Sequence, residues 1–179
     1  MANFMRLAPR AQRQIIRRME PLEPPALHQA QAAYGWLELG NVEEAFAELE
    51  RLPEELQLLP AVQAVRLDCL MAAKDWNAAV KLAQVLCGQW AEEPGLWLHH
   101  AYAARRCAGG SIEAAYELLA PCVERFPEEW LIPYNVACYL CQMERLDEAR
   151  AMLEMARAKG GERVDTMAKD DEDLAPLNL

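Results

Sequence analysis

The sequence predicts an all-α chain of stacked helical hairpins, on three observations. Alanine recurs in one sequence setting at Ala45, Ala79, Ala115 and Ala149, with separations of 34, 36 and 34 residues; self-similarity at that period marks a helical-hairpin array. The composition is 53% hydrophobic with only 8 glycines in 179 residues, which suits helices and poorly suits a sandwich of short strands. Turn and capping residues precede the alanines, as Gly40-Asn41, Asp75 and Gly109-Gly110-Ser111, where a helix closes on a left-handed residue and the next begins on a side-chain cap. An array grows by stacking and needs no second core, so one elongated domain is expected.

Residues 1–25 read as a basic amphipathic arm. Arg10, Arg13 and Arg17 share one side of a helix from about Pro9 to Met19, while Ala11, Ile15, Ile16 and Met19 gather on the other. Pro21 and the Pro24-Pro25 pair end it. Four repeats follow over residues 26–161, bounded at 26–59, 60–93, 94–127 and 128–161.

In the first repeat a helix ends at Gly40, and Asn41 caps a second helix with Glu43 and Glu44 in its first turn, where the helix dipole favours negative charge. Pro53 cuts that helix short. In the second repeat Lys74 occupies the place of Gly40, a less comfortable turn, and Asp75 is the cap. The third carries two extra residues at its Gly109-Gly110 turn, and Ser111 caps a helix that runs to a proline stop at Pro127. In the fourth, Leu146-Asp147-Glu148-Ala149 matches Val42-Glu43-Glu44-Ala45, and Gly160-Gly161 ends the pair. Residues 162–179 read as an acidic C-terminal cap or tail, with Asp170, Asp171, Glu172 and Asp173 followed by leucines able to cover the exposed flank of the last repeat.

The net charge of -10 is uneven: five arginines against two glutamates put +3 on residues 1–27 and leave -13 on the remainder. An acidic body repels phosphate backbones, so nucleic-acid binding by the array is not expected. No run approaches the roughly 20 apolar residues needed for a bilayer span, and the first residues lack the continuous apolar core of a secretory signal. A cytoplasmic protein is expected. Cys69, Cys87, Cys107, Cys122, Cys138 and Cys141 fall in helix interiors, where free, mostly buried thiols are the ordinary state.

The repeat resembles the tetratricopeptide family, whose pattern is W-x2-L-G-x2-Y, then A-x3-F, then P. The third repeat carries it best, in Trp97, His100-Ala101, Ala104, Ala115-x3-Leu119 and Pro127; the others contribute Ala32-Ala33, Trp36 and Ala45-x3-Leu49, and Val136-Ala137, Leu140 and Ala149-x3-Leu153. The second is the weakest, with Leu67 where a small residue is usual. The resemblance implies a right-handed α-solenoid of antiparallel helical hairpins, with small residues at the seams and larger apolar groups between them.

It also implies a concave groove lined by the first helices, which binds extended or helical peptide segments. Carried over position by position, the groove residues are Tyr34 and Leu37; Asp68 and Met71; Tyr102, Arg105 and Arg106; and Tyr134, Asn135 and Gln142. Tyrosine offers contact area and a hydrogen bond at low entropic cost, and the two arginines could grip a carboxylate or phosphate in bidentate fashion. The branch of the family that clamps a C-terminal carboxylate needs basic residues where Ala30, Ala64 and Leu98 stand, and only Asn135 fits, so that specialised activity is not expected.

No phosphate loop, nucleophile elbow or helix-borne His-x3-His is present. The Cys138-x-x-Cys141 pair lacks two nearby partners for zinc. The expected function is a noncatalytic adaptor or scaffold without cofactor or metal, binding another protein or peptide segment. The alternative is a chaperone-like or self-associating scaffold, a homo-oligomer in which the basic arm meets an acidic body or a membrane surface.

Overall fold

A computed structural model describes residues 22–178, and these are all-helical, with no strand among them. The basic arm up to residue 21 lies outside the described residues. The chain divides into two compact units between His99 and His100, one of residues 22–99 and the other of residues 100–178 as described. The division falls inside the first helix of the third repeat, not at a repeat boundary.

The first unit contains α1 (Ala26–Glu38), α2 (Val42–Glu50), α3 (Glu54–Gln57), α4 (Pro60–Ala73), α5 (Trp76–Gln89) and the beginning of α6 (Pro94–Ala104). Helices α1 and α2 pack together, as do α4 and α5, and α4 also packs against both α1 and α2. The caps are those the sequence predicts. Asn41 Oδ1 accepts from the Glu44 amide at 3.2 Å, and Asp75 Oδ1 from the Ala78 amide at 3.1 Å, each satisfying an amide that a helix start leaves without a partner.

One turn geometry recurs. The Gly40 amide donates to Leu37 O and the Asn41 amide to Trp36 O; Lys74 and Asp75 repeat this on Met71 and Leu70. In the second unit Glu144 and Arg145 repeat it on Cys141 and Leu140. The turn requires a left-handed residue, with φ of 77° at Gly40, 58° at Lys74 and 60° at Glu144. A Cβ in that region crowds the following carbonyl. Replacing Gly40 with alanine should therefore cost about 1 kcal/mol, whereas Lys74→Gly should cost nothing; urea midpoints of the two variants measure the contrast.

The second unit contains the end of α6, then α7 (Ile112–Leu119), α8 (Cys122–Arg125), α9 (Leu131–Gln142), α10 (Leu146–Gly160), α11 (Glu162–Ala168) and a 3-10 helix (Glu172–Leu177). Ser111 Oγ caps α7 by accepting from the Ala114 amide at 3.1 Å. The single helix expected up to Pro127 is instead two. Pro121 lacks an amide hydrogen and cannot continue the ladder of α7, and a short helix resumes behind it. Pro133 is tolerated inside α9 because it lies in the first turn, where amides have no helical partner.

Helix α9 packs on α7, α10 and the 3-10 helix, and every residue from Ile132 to Cys141 is buried. A helix apolar on all sides is an interior one. At its far end α10 closes on Gly160, where a Cβ would collide with the Val164 side chain and press on the Trp130 ring. All four repeating alanines, Ala45, Ala79, Ala115 and Ala149, are 0% exposed, and Leu49, Leu119 and Leu153 four residues further on are buried as well.

Candidate functional site

The residues expected to line a groove fall into two clusters, one in each unit. In the first, Tyr34 on α1 and Asp68 on α4 stand one repeat apart, and the Tyr34 hydroxyl donates to Asp68 Oδ2 at 2.8 Å. The other carboxylate oxygen lies 3.2 Å from His99 Nε2 on α6, out of line for a full hydrogen bond. His99 Nδ1 donates to the Gly95 carbonyl at 2.8 Å.

A carbonyl only accepts, so Nδ1 carries a hydrogen. The charged or polar ends of all three side chains are buried. Met71 is buried too, and Leu37 is half-buried. This cluster ties three helices together from inside; it does not offer Tyr34, Asp68 and Met71 to a ligand. Beside it the Cys69 thiol is pushed up to about 12 by burial and by the Asp68 charge, which leaves it protonated and inert as a nucleophile.

In the second unit, Arg106 stacks on Tyr102, its guanidinium carbon 3.5 Å from the ring centre, a cation–π pair. Burial pulls the Arg106 guanidinium below its ordinary value. Arg105 moves the other way: burial opposes its charge, but Asp173 outweighs burial and holds it above the ordinary value. The pair is bidentate, with Nη1 donating to Oδ2 at 2.8 Å and Nη2 to Oδ1 at 3.2 Å. The Arg105 guanidinium also lies 5.8 Å from the Tyr139 ring centre.

The Tyr134 hydroxyl donates to Asp171 Oδ2 at 2.8 Å, and burial, with Cys138 and Asp171 adding to it, raises its phenol well above the usual range. The Cys138 thiol reaches the same oxygen at 3.7 Å and is held up by burial and the Asp171 charge. Gln142 Nε2 donates to the Asp173 carbonyl at 3.2 Å. Asn135 donates to the Leu131 carbonyl of its own helix at 2.7 Å, so its buried amide is engaged locally.

Six of the expected residues, Tyr102, Arg105, Arg106, Tyr134, Asn135 and Gln142, thus belong to one unit, and Arg105, Tyr134 and Gln142 hold the chain's own segment 171–173. The partners that sequence reasoning did not single out are His99, Asp171 and Asp173. The two aspartates stand in the acidic run of the C-terminal cap or tail, where the leucines and not the carboxylates are the expected covering groups; their alternation ahead of Leu174 and Leu177 is a usable signal. Both leucines are buried, at 1% and 4% exposure.

Among the described residues, no group of three or more His, Cys, Asp or Glu converges in a way that could hold a metal, all six cysteines are free thiols, and no helix is long and apolar enough to cross a membrane. Compared with known proteins, the chain matches no family model and no curated protein.

Proposed function

We propose that the chain is a noncatalytic protein-interaction module, a tetratricopeptide-like right-handed α-solenoid acting as an adaptor or scaffold that binds a peptide or helix segment. The observation that carries this reading is the way the second unit handles segment 171–177. Arg105, Tyr134 and Gln142 take its carboxylates and a backbone carbonyl, and buried positions take its leucines. This is the chemistry by which a helical scaffold recognises a short acidic and apolar segment: charge-assisted bonds give register, and apolar anchors give affinity. Aromatic and arginine side chains, the commonest energetic anchors of interfaces, also meet at Tyr102 and Arg106.

The test is a pull-down of binding partners followed by affinity measurement on the purified pair. Tyr102→Ala and Arg106→Ala should each weaken binding at least tenfold, the loss typical of an interface anchor. Unchanged affinity in both variants would reject the reading.

A further inference from the structure

Segment 171–177 is held by two kinds of contact. Asp173 meets the Arg105 fork, Asp171 meets Tyr134, and Gln142 and Arg150 donate to the carbonyls of Asp173 and Leu177. Leu174 and Leu177 are buried, while Glu172, Ala175, Pro176 and Asn178 stay exposed. Asp171 Oδ1 also accepts from the Asp173 amide at 3.0 Å, so the segment braces its own turn. The pattern is Asp-x-Asp-Leu-x-x-Leu, with the x positions exposed.

Resting on the interaction reading above, we propose that this segment is an intramolecular stand-in for the partner. The face formed by α9 and Arg105 recognises an acidic–leucine segment of the form Asp-x-Asp-Leu-x-x-Leu on another protein, which binds by displacing residues 171–177. The docking is of a kind that can be displaced. Ordering six residues of 3-10 helix opposes the burial of two leucines, the part-buried Arg105–Asp173 pair and the hydrogen bonds from Tyr134, Gln142 and Arg150, and the opposing terms are of similar size. A tethered segment nonetheless wins over a free one, because linkage presents it at an effective concentration in the millimolar range. The chain is therefore closed to weak competitors and opens to one that makes additional contacts.

The probe is a fluorescent, end-capped peptide of residues 168–178, titrated into the full chain and into a full-length Asp173→Ala/Leu174→Ala variant whose own segment is weakened. The variant should bind the peptide at least tenfold more tightly than the unmodified chain, and adding Arg105→Ala should reverse the gain. Equal affinity for the two chains, or a gain that survives Arg105→Ala, overturns the proposal. Dimerisation of the variant at the probe concentration gives the face to a second copy of the chain and also overturns it.

If the double variant loses its helical circular dichroism, hydrogen exchange on the unmodified chain decides. Amides of 172–177 should exchange at least tenfold faster than those of α9, by local opening; equal protection makes the segment a fixed part of the core and sinks the idea. A partner that depends on Tyr102 and Arg106, found together with a peptide that binds neither chain, would leave the interaction reading standing and remove only this one.

Discussion

Replacing Asp68 with alanine should cost about 1–3 kcal/mol, the range for removing the hydrogen-bond partner of a buried polar group. The carboxylate is the common acceptor for the Tyr34 hydroxyl at 2.8 Å and the neighbour of His99 Nε2 at 3.2 Å. His99 and Asp68 side chains are only 2% and 4% exposed, so bulk solvent does not reach them in the folded chain. The Tyr34 hydroxyl then loses its bond to the carboxylate and the His99 ring loses its acidic neighbour, and the desolvation penalty for a weakened buried polar group is about 1–3 kcal/mol.

The same argument says that the network is worth far less than its disruption costs. An Asp68→Leu/His99→Leu/Tyr34→Phe variant removes every polar atom at once, and it should be markedly more stable than Asp68→Ala alone. Urea unfolding of the single and triple variants, monitored by far-ultraviolet circular dichroism, measures both. A single-variant loss below about 1 kcal/mol, the size of one ordinary hydrogen bond, would mean that the three side chains do not act as a unit.

The all-helical character was legible in the composition and in the period of the alanines, all of them buried, as positions that admit only a methyl group are. The turns were equally legible where glycine marked them, at Gly40 and Gly109. Glu144 adopts the same left-handed geometry with no local signal, since its conformation is imposed by the hairpin of α9 and α10 that surrounds it. Pro121 is plain in the sequence, but the pattern of apolar positions continues across it and hides the break it causes.

The site divides along the same line. Groove positions carried from the repeat pattern name candidate helix faces, but periodicity cannot say what covers a face. Whether Tyr34 and Tyr134 meet solvent, a ligand or another part of the chain depends on contacts 34 and 37 residues away in sequence. The acidic run at Asp170–Asp173 reads as part of a cap or tail, and charge counts, which ignore register, assign its carboxylates no partners. Only the placement of Asp171 and Asp173 opposite Tyr134 and Arg105 separates it from any other run of carboxylates.

Ala149 and Ala151 permit a test of the seam within a single helix. Both lie in α10, yet Ala149 is 0% exposed and Ala151 is exposed. Leucine and alanine are both good helix formers, so changing either residue to leucine perturbs the isolated helix equally little. What differs is space. Helix α10 packs directly on α9, and an added isobutyl group at Ala149 has no void to enter in a close-packed interior. It must push the helices apart or force neighbouring side chains off their rotamers, at about 1–3 kcal/mol. Ala149→Leu should therefore lower the urea midpoint clearly, and Ala151→Leu should leave it within about 0.5 kcal/mol of the unmodified chain, the usual range for surface changes. Equal stability of the two variants would mean that the buried alanines are small by accident, and the physical basis for reading their spacing as a repeat would be lost with it.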